Sequence, residues 1–168
     1  MSESATGDSK QLRSAFGEFA TGVTVITTRG TDGIDCGLTA NSFTSVSLDP
    51  PLLLWCLDNN SDCFQAFDAA DYFAVHVLHS EQMDLSNQFA KKGTDKFAGL
   101  ALERGPGGIP LLSDYAVRFI CQSTNSYSAG DHVIHVGSVS EYLVNEHAPL
   151  VFHKGCLLYT SPSPRDCQ

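Results

Sequence analysis

The sequence predicts a mainly β protein, an antiparallel barrel with helices inserted between some of its strands. Three observations carry that expectation. Segments of β-branched, alternating or continuously apolar residues recur along the chain, among them VTVITT, LLLWCL, YFAVHVL, AVRFICQST and HVIHVGSV. Several are joined by short turn-forming stretches, which suits antiparallel neighbours. Helical patterns fall between some strands only, without the regular alternation of a parallel βαβ sheet. With 168 residues, no internal repeat and no dividing linker, the chain suits one domain able to bury a core.

Taken in order, residues 1–10 read as a disordered N-terminal tail. Asp8 or Ser9 can cap a helix that carries Leu12, Ala15, Phe16 and Phe19 on one face and stops at Gly22. VTVITT follows as a strand, and RGTDG supplies an Asp-Gly turn. The next stretch, GLTANSFTSVSLDPP (residues 37–51), returns as the second strand of a hairpin. Pro50 and Pro51 end it before LLLWCL, because proline donates nothing to a ladder. DNNSD is a loop with capping residues ahead of a short helix, CFQAFDAA, and YFAVHVL is a buried-type strand. Ser80 is placed as the cap of EQMDLSNQFA, a helix presenting Met83, Leu85 and Phe89. KKGTDKFAGL and ERGPGGIP read as loops. AVRFICQST and HVIHVGSV pair as a hairpin around SYSAGD, and APLVFHKG closes the fold.

Charge and composition narrow the function classes. The net charge is −9 with only 10 Lys and Arg, so a nucleic-acid backbone is not an expected partner. An anionic ligand would have to be held by backbone N–H groups, hydroxyls and a few placed lysines. No apolar run reaches the roughly 20 residues of a membrane span. MSESATGDSK lacks the basic start and apolar middle of a signal peptide, and a cytoplasmic location is the expectation. Six cysteines, at positions 36, 56, 63, 121, 156 and 167, match neither a disulfide framework nor a zinc ribbon and read as buried free thiols.

From Cys156 the character changes. CLLYTSPSPRDCQ has no periodicity, and Cys156 to Asp166 resembles a reading frame through a transposon adapter used to build sequencing libraries. The adapter end TGT CTC TTA TAC ACA TCT encodes Cys-Leu-Leu-Tyr-Thr-Ser. The expected domain is therefore residues 11–155, with 156–168 foreign and native residues after Gly155 missing.

Candidate sites follow from what can be set aside. His76 and His79, like His132 and His135, are three apart. On strands such residues point to opposite faces, so no metal centre is expected. No Gly-x-Ser-x-Gly elbow, Walker sequence or dinucleotide-binding glycine pattern occurs, and GPGG is a turn. What remains is the polar stretch after Gly37. As a strand over 39–45 it would place Thr39, Asn41, Phe43 and Ser45 on one face. Its small side chains would let a flat ring approach the backbone and bond to N–H and C=O groups. Ser45 to Ser47 and Asn60–Ser61 can donate to a phosphate. His132, after Gly130 and Asp131, is a candidate donor at a pocket mouth.

FATGVTVITT, GLTANSFTSVSLDPPLLLWCL, LSNQFAKKGTDKF, AGDHVIHVGSV and PLVFHKG occur in the order seen in short-chain flavin reductases. The sequence from Leu12 to Gly155 resembles that family, the reductase components of two-component flavin monooxygenases. The resemblance implies a flavin-binding (FMN-binding) split β-barrel, a homodimer, and FMN or FAD reduced by NAD(P)H for a partner monooxygenase. It places Thr39, Ala40, Asn41 and Ser42 along the isoalloxazine, and Ser45 and Val46 by the ribityl-phosphate chain. Asn60 and Ser61 fall near the phosphate, Phe89 and Lys92 close the site, and Gly130, Asp131 and His132 meet the nicotinamide. Alternatives on the same barrel are a flavin-retaining oxidase or oxygenase and a non-catalytic flavin-binding protein.

Overall fold

The structure is a computed structural model that describes residues 8–159. It is mainly β, with twelve strands in antiparallel sheets and three short α-helices among these residues. The first helix, α1 (Ser9–Phe16), is capped by Asp8, whose carboxylate accepts from the Lys10 N–H. It therefore begins inside the segment read as a disordered tail; residues 1–7 lie outside the described residues. It also ends earlier than Gly22. Gly17 is its C-cap, and Thr21–Gly22 instead form strand β1. No residue of α1 is buried, so among the described residues no packing on its apolar face extends the helix.

The main sheet has seven strands. They are β2 (Thr24–Arg29), β3 (Asp35–Ala40), β4 (Thr44–Leu48), β5 (Pro51–Asp58), β6 (Tyr72–Val77), β9 (Val117–Ala129) and β10 (His132–Val144). Their order is β3-β2-β6-β9-β10-β5-β4, every neighbour antiparallel. Between β6 and β9 come β7 (Leu102–Arg104) and β8 (Pro110–Leu112), and at the end β11 (Leu150–His153) and β12 (Cys156–Tyr159). Strands β1, β11 and β12 make a small second sheet. Strand β12 falls on the adapter-like segment; backbone pairing accepts almost any side chain and says nothing of that segment's origin.

Four sequence expectations give way here. The stretch after Gly37 is not one strand over 39–45. It leaves the ladder at Asn41, Ser42 and Phe43, and resumes as β4 at the opposite end of the sheet order. One strand cannot serve both edges, so the connecting residues must drop their pairing. Second, ERGPGGIP is not wholly loop, because β7 and β8 pair around the turn at Pro106–Gly108. Third, the link between β9 and β10 is only Gly130 and Asp131, since the strands pair as far as Ala129 with His132. Fourth, helix α3 (Met83–Ala90) begins after Gln82, not at Ser80. The Ser80 N–H donates to Ala148 O, while Gln82 Oε1 accepts from His79 N. These bonds hold that segment outside the helix.

The core joins the middle of the sheet to helix α2 (Phe64–Asp68). Trp55, Phe67, Phe73 and Leu57 are each 3% exposed or less, and Trp55 meets Phe67 edge-on at 4.8 Å. Aromatic pairs of this kind add about 1 kcal/mol to the value of the area they bury. Gly137 on β10 makes that packing possible. A Cβ there would lie 2.8 Å from Phe73 Cε1 and 3.0 Å from Cys121 Cβ.

Buried polar groups pin the β7–β8 ribbon to the sheet. Thr27 Oγ1 donates to Pro110 O at 2.6 Å, and Arg118 Nη1 donates to Leu112 O at 3.1 Å. His76 is fully buried, with Nδ1 3.1 Å from Val25 O, and its Nε2 accepts from the Leu112 N–H at 3.1 Å. The two contacts require the neutral ring protonated on Nδ1. Burial drives its pKa down to about 3, with Val25 O opposing and Arg118 adding to the shift.

Two outcomes follow from this packing. Gly137→Ala should destabilise the fold by about 1–3 kcal/mol in urea unfolding. Because the folded His76 stays neutral while the unfolded ring protonates near 6.5, its contribution is complete above that pH and declines between 6.5 and 3. At pH 5 the loss should be about 2 kcal/mol, and His76→Gln should remove that part of the pH slope.

Candidate functional site

A cavity of about 270 Å³ opens where β3, β5, the start of β10 and helix α3 converge. Its wall is the segment that leaves the ladder. Among the backbone bonds of the described residues, Asn41, Ser42 and Phe43 donate none to another main-chain carbonyl. Ser42 ties the segment to the far edge through its side chain. Oγ accepts from Cys56 N at 2.9 Å and donates to Cys56 O at 3.2 Å, replacing a ladder pair with a hydroxyl. Thr24 Oγ1 donates to Ala40 O at 2.7 Å and Thr39 Oγ1 to Ser86 O at 2.6 Å. The wall is thus fixed while its own N–H groups face no backbone partner.

Helix α3 forms the opposite side. Phe89 is fully buried beneath β3, edge-on to Phe97 at 5.1 Å. Gly37 allows this: a Cβ there would stand 2.6 Å from Phe89 Cε1. A second cavity, about 570 Å³, shares Thr39, Ala40, Asn41 and Ala90 with the first. Residues 39–41 therefore border both cavities.

The end lined by Ser61, Asp62, Lys92 and Lys96 joins two loops. Lys92 Nζ donates to Asn60 O at 3.2 Å, and Gly93 N to Asp62 Oδ2 at 3.4 Å. Lys96, with a side chain 8% exposed, reaches Asp62 Oδ1 at 3.2 Å and Gly37 O at 3.0 Å. Burial works against the Asp62 carboxylate, but bonds from Lys96 and Gly93 outweigh it and hold its pKa below the usual range. Gln88 Nε2 donates to Lys96 O at 2.8 Å and holds the loop in place. At the rim, His132 Nδ1 lies 2.7 Å from Asp131 Oδ1. That bond holds the Asp131 carboxyl below its ordinary pKa. A carboxylate can only accept, so Nδ1 carries a proton and Nε2 is left to a ligand.

Of the residues singled out from sequence, the cavity gathers Thr39, Ala40, Asn41, Ser42, Ser61, Phe89, Lys92 and His132. Asn60, Gly130 and Asp131 do not line it but brace it: Asn60 receives Lys92, and Asn59 bonds to Gly130 O and Asp131 O. Ser45 and Val46 lie apart, exposed on edge strand β4, with Val46 at a break in register between Ser45 and Ser47. Lys96, Asp62, Asp58 and Cys56 line the cavity without having been anticipated. Three lysines within LSNQFAKKGTDKF, in a chain poor in basic residues, were the available signal for Lys96; its burial was not readable.

A planar, anionic cofactor suits these walls. Small side chains stand beside main-chain donors with no main-chain partner, and two lysines meet at one end.

Residues 16–160 match the family described as "Flavin reductase like domain". The chain is 48% identical over 135 residues to a probable flavin reductase of Rhizobium meliloti, covering 80% of this chain and 43% of that one. It is 41% identical over 148 residues to the FMN reductase (NADH) SmoA of Agrobacterium fabrum, covering 88% and 84%. Among solved structures, the NADH:FAD oxidoreductase SgcE6 of Streptomyces globisporus, in complex with NAD and FAD fragments, aligns at a TM-score of 0.89. Its identity is 34% over 98% of this chain and 99% of that one. The chain spans 43%, 59% and 51% of three curated relatives it matches, about half their length. With most of its residues inside the family match and a cavity built from the same stretches, the chain belongs to the flavin reductase-like family.

Proposed function

We propose that the chain is an NAD(P)H:flavin oxidoreductase that reduces FMN or FAD and releases the product to a separate monooxygenase. The observation that carries this is the fixed, off-ladder stretch at Asn41–Ser42, which lines one open cavity together with His132. Its relatives support it, including an FMN reductase (NADH) and the reductase component of a flavin-dependent trigonelline monooxygenase.

When bound, NAD(P)H supplies the hydride and the flavin ring accepts it. The chain supplies binding and orientation. Thr39, Ala40, Asn41 and Ser42 form the bed, and their main-chain groups meet ring heteroatoms. Ser61, Lys92 and Lys96 attract the anionic chain. His132, steadied by Asp131, orients the nicotinamide nucleotide, and Phe89 keeps the floor rigid. Positioning of this sort can contribute several kcal/mol without a covalent nucleophile.

The same reading takes the sheet as a flavin-binding split barrel. The short link between its two end strands, with Ser42 bonded both ways to Cys56 of β5, supports it. It takes the protein as a cytoplasmic homodimer. Phe16 and Phe19, 71% and 78% exposed, are apolar surface that a second copy would cover. No helix among the described residues is long and apolar enough to cross a membrane. The domain is taken as residues 11–155, with residues 156–168 foreign; sequencing unamplified genomic DNA across Gly155 decides that.

Loss of absorbance at 340 nm with NADH or NADPH should require added FMN or FAD. Flavin binding without turnover would make the protein a carrier, and flavin that never exchanges would make it a flavin-retaining oxidase. His132→Ala should raise KM for NAD(P)H about tenfold while changing flavin Kd by less than about twofold; unchanged KM and kcat would remove His132 from the site. Lys96→Met should weaken FMN binding about tenfold, read by fluorescence quenching, and weaken riboflavin, which lacks the phosphate, much less.

A further inference from the structure

A third cavity, about 290 Å³, lies behind β3 and shares Asp62 and Lys96 with the candidate flavin cavity. Two cysteines line it. Cys36 is on β3 beside Gly37 and is half-buried; Cys63 caps α2 and is 4% exposed. Cys36 packs against the core cluster that contains Cys63. Cys63 Sγ also lies 3.3 Å from Gly37 O and 4.0 Å from Lys96 Nζ. Core packing alone does not call for two thiols on one cavity with an ammonium group beside one of them.

The two sulfurs are unequal. The neighbouring Cys63 thiol lowers the Cys36 pKa, against burial and the nearby Asp32 and Asp62 carboxylates, and Lys96 helps. Cys63 is pushed up by Cys36 beside it and by its burial. Cys121, alone in the core, is pushed up to about 12 by burial. One member of the pair is thus suited to be the nucleophile and the other to keep its proton and attack second.

We propose that Cys36 and Cys63 are a redox-active dithiol, oxidised by a hydroperoxide to an intrachain disulfide that closes beside the flavin cavity. The Cys36 thiolate attacks one oxygen of hydrogen peroxide. The O–O bond breaks, and the departing hydroxide takes up the proton Cys36 had released, giving water and Cys36 sulfenic acid. Cys63 sulfur then attacks Cys36 sulfur. The S–O bond breaks, and hydroxide leaves with the Cys63 proton as a second water. The two thiols lose two electrons and the peroxide gains them.

The disulfide would remove the Cys63 Sγ–H from Gly37 O, leaving Lys96 as its side-chain donor. The chain from Gly37 leads directly to Thr39 and Ala40, so oxidation acts on the flavin bed. If the proposed activity holds, reduced flavin that reacts with dioxygen instead of reaching its partner yields hydrogen peroxide at this site. The thiol chemistry itself does not depend on that activity.

The test uses the full chain, reduced and desalted, then treated with hydrogen peroxide and quenched with N-ethylmaleimide under denaturing conditions. Cleavage before aspartate separates Cys36 (peptide 35–48), Cys56 (49–57) and Cys63 (62–67). Peptides 35–48 and 62–67 should appear joined, lighter than their sum by two hydrogens and separated again by dithiothreitol. Cys36 should be lost to peroxide about tenfold faster than Cys121. In Cys63→Ser, and in Cys63→Ala as a second variant, Cys36 should stop at a sulfenic acid trapped by dimedone. Joining of 35–48 to 49–57 instead would overturn the proposal. So would a Cys36 that survives peroxide sufficient to oxidise the exposed Cys156, or one that passes to the sulfonic acid without joining Cys63. Mass is the readout, so a chain that fails to reduce flavin leaves this result interpretable.

Discussion

Much of this structure depends on one interruption in hydrogen bonding. Strands β3 and β4 stand at opposite ends of a seven-stranded sheet, yet only Asn41, Ser42 and Phe43 separate them. Those residues must give up their ladder partners to make the passage. A buried or half-buried main chain rarely tolerates that without compensation. Ser42 provides part of it by bonding to both the N–H and the C=O of Cys56. The remaining donors are available to a ligand, and the small neighbouring side chains leave room for one.

Around that interruption, binding capacity and stability are supplied by different residues. Trp55, Phe67 and Phe73 fill the core, and Gly137 is bare so that Phe73 can sit against β10. His76, Thr27 and Arg118 use buried hydrogen bonds to hold the β7–β8 ribbon. Phe89 belongs to both sets: it is core by burial and cavity floor by position. A substitution there would confuse folding with binding, whereas His132 at the rim separates the two.

Electrostatics fit the proposal that an acidic chain binds an anion. The net charge is −9, so long-range attraction is absent and the site relies on placed groups. Lys96 is buried against Asp62 and Gly37 O, while Lys92 reaches across to Asn60 O. A buried ammonium held by one carboxylate and one carbonyl costs less to desolvate further than a lone one. It keeps a donor near the ligand without a basic surface. The same lysine stands 4.0 Å from Cys63 Sγ, so the proposed anion contact and the proposed dithiol share one side chain.

The sequence alone determined the strand-rich class, the two hairpins on either side of the cavity and the order of the flavin reductase-like segments. It also pointed to most of the cavity's lining: Thr39 to Ser42, Ser61, Phe89, Lys92 and His132. Periodicity, turn residues and motif order are local properties, and local properties survive in a linear reading. What the tertiary structure decided was non-local. Asn41 leaves the ladder because its two flanking strands serve opposite edges, and Ser45 and Val46 go with the far edge, out of the cavity. Lys96 is buried because the loop after α3 folds back over β3, and Cys36 shares a cavity with Cys63 because α2 starts beside Gly37. Distances between residues far apart in the chain are set by packing, and no spacing within a segment encodes them.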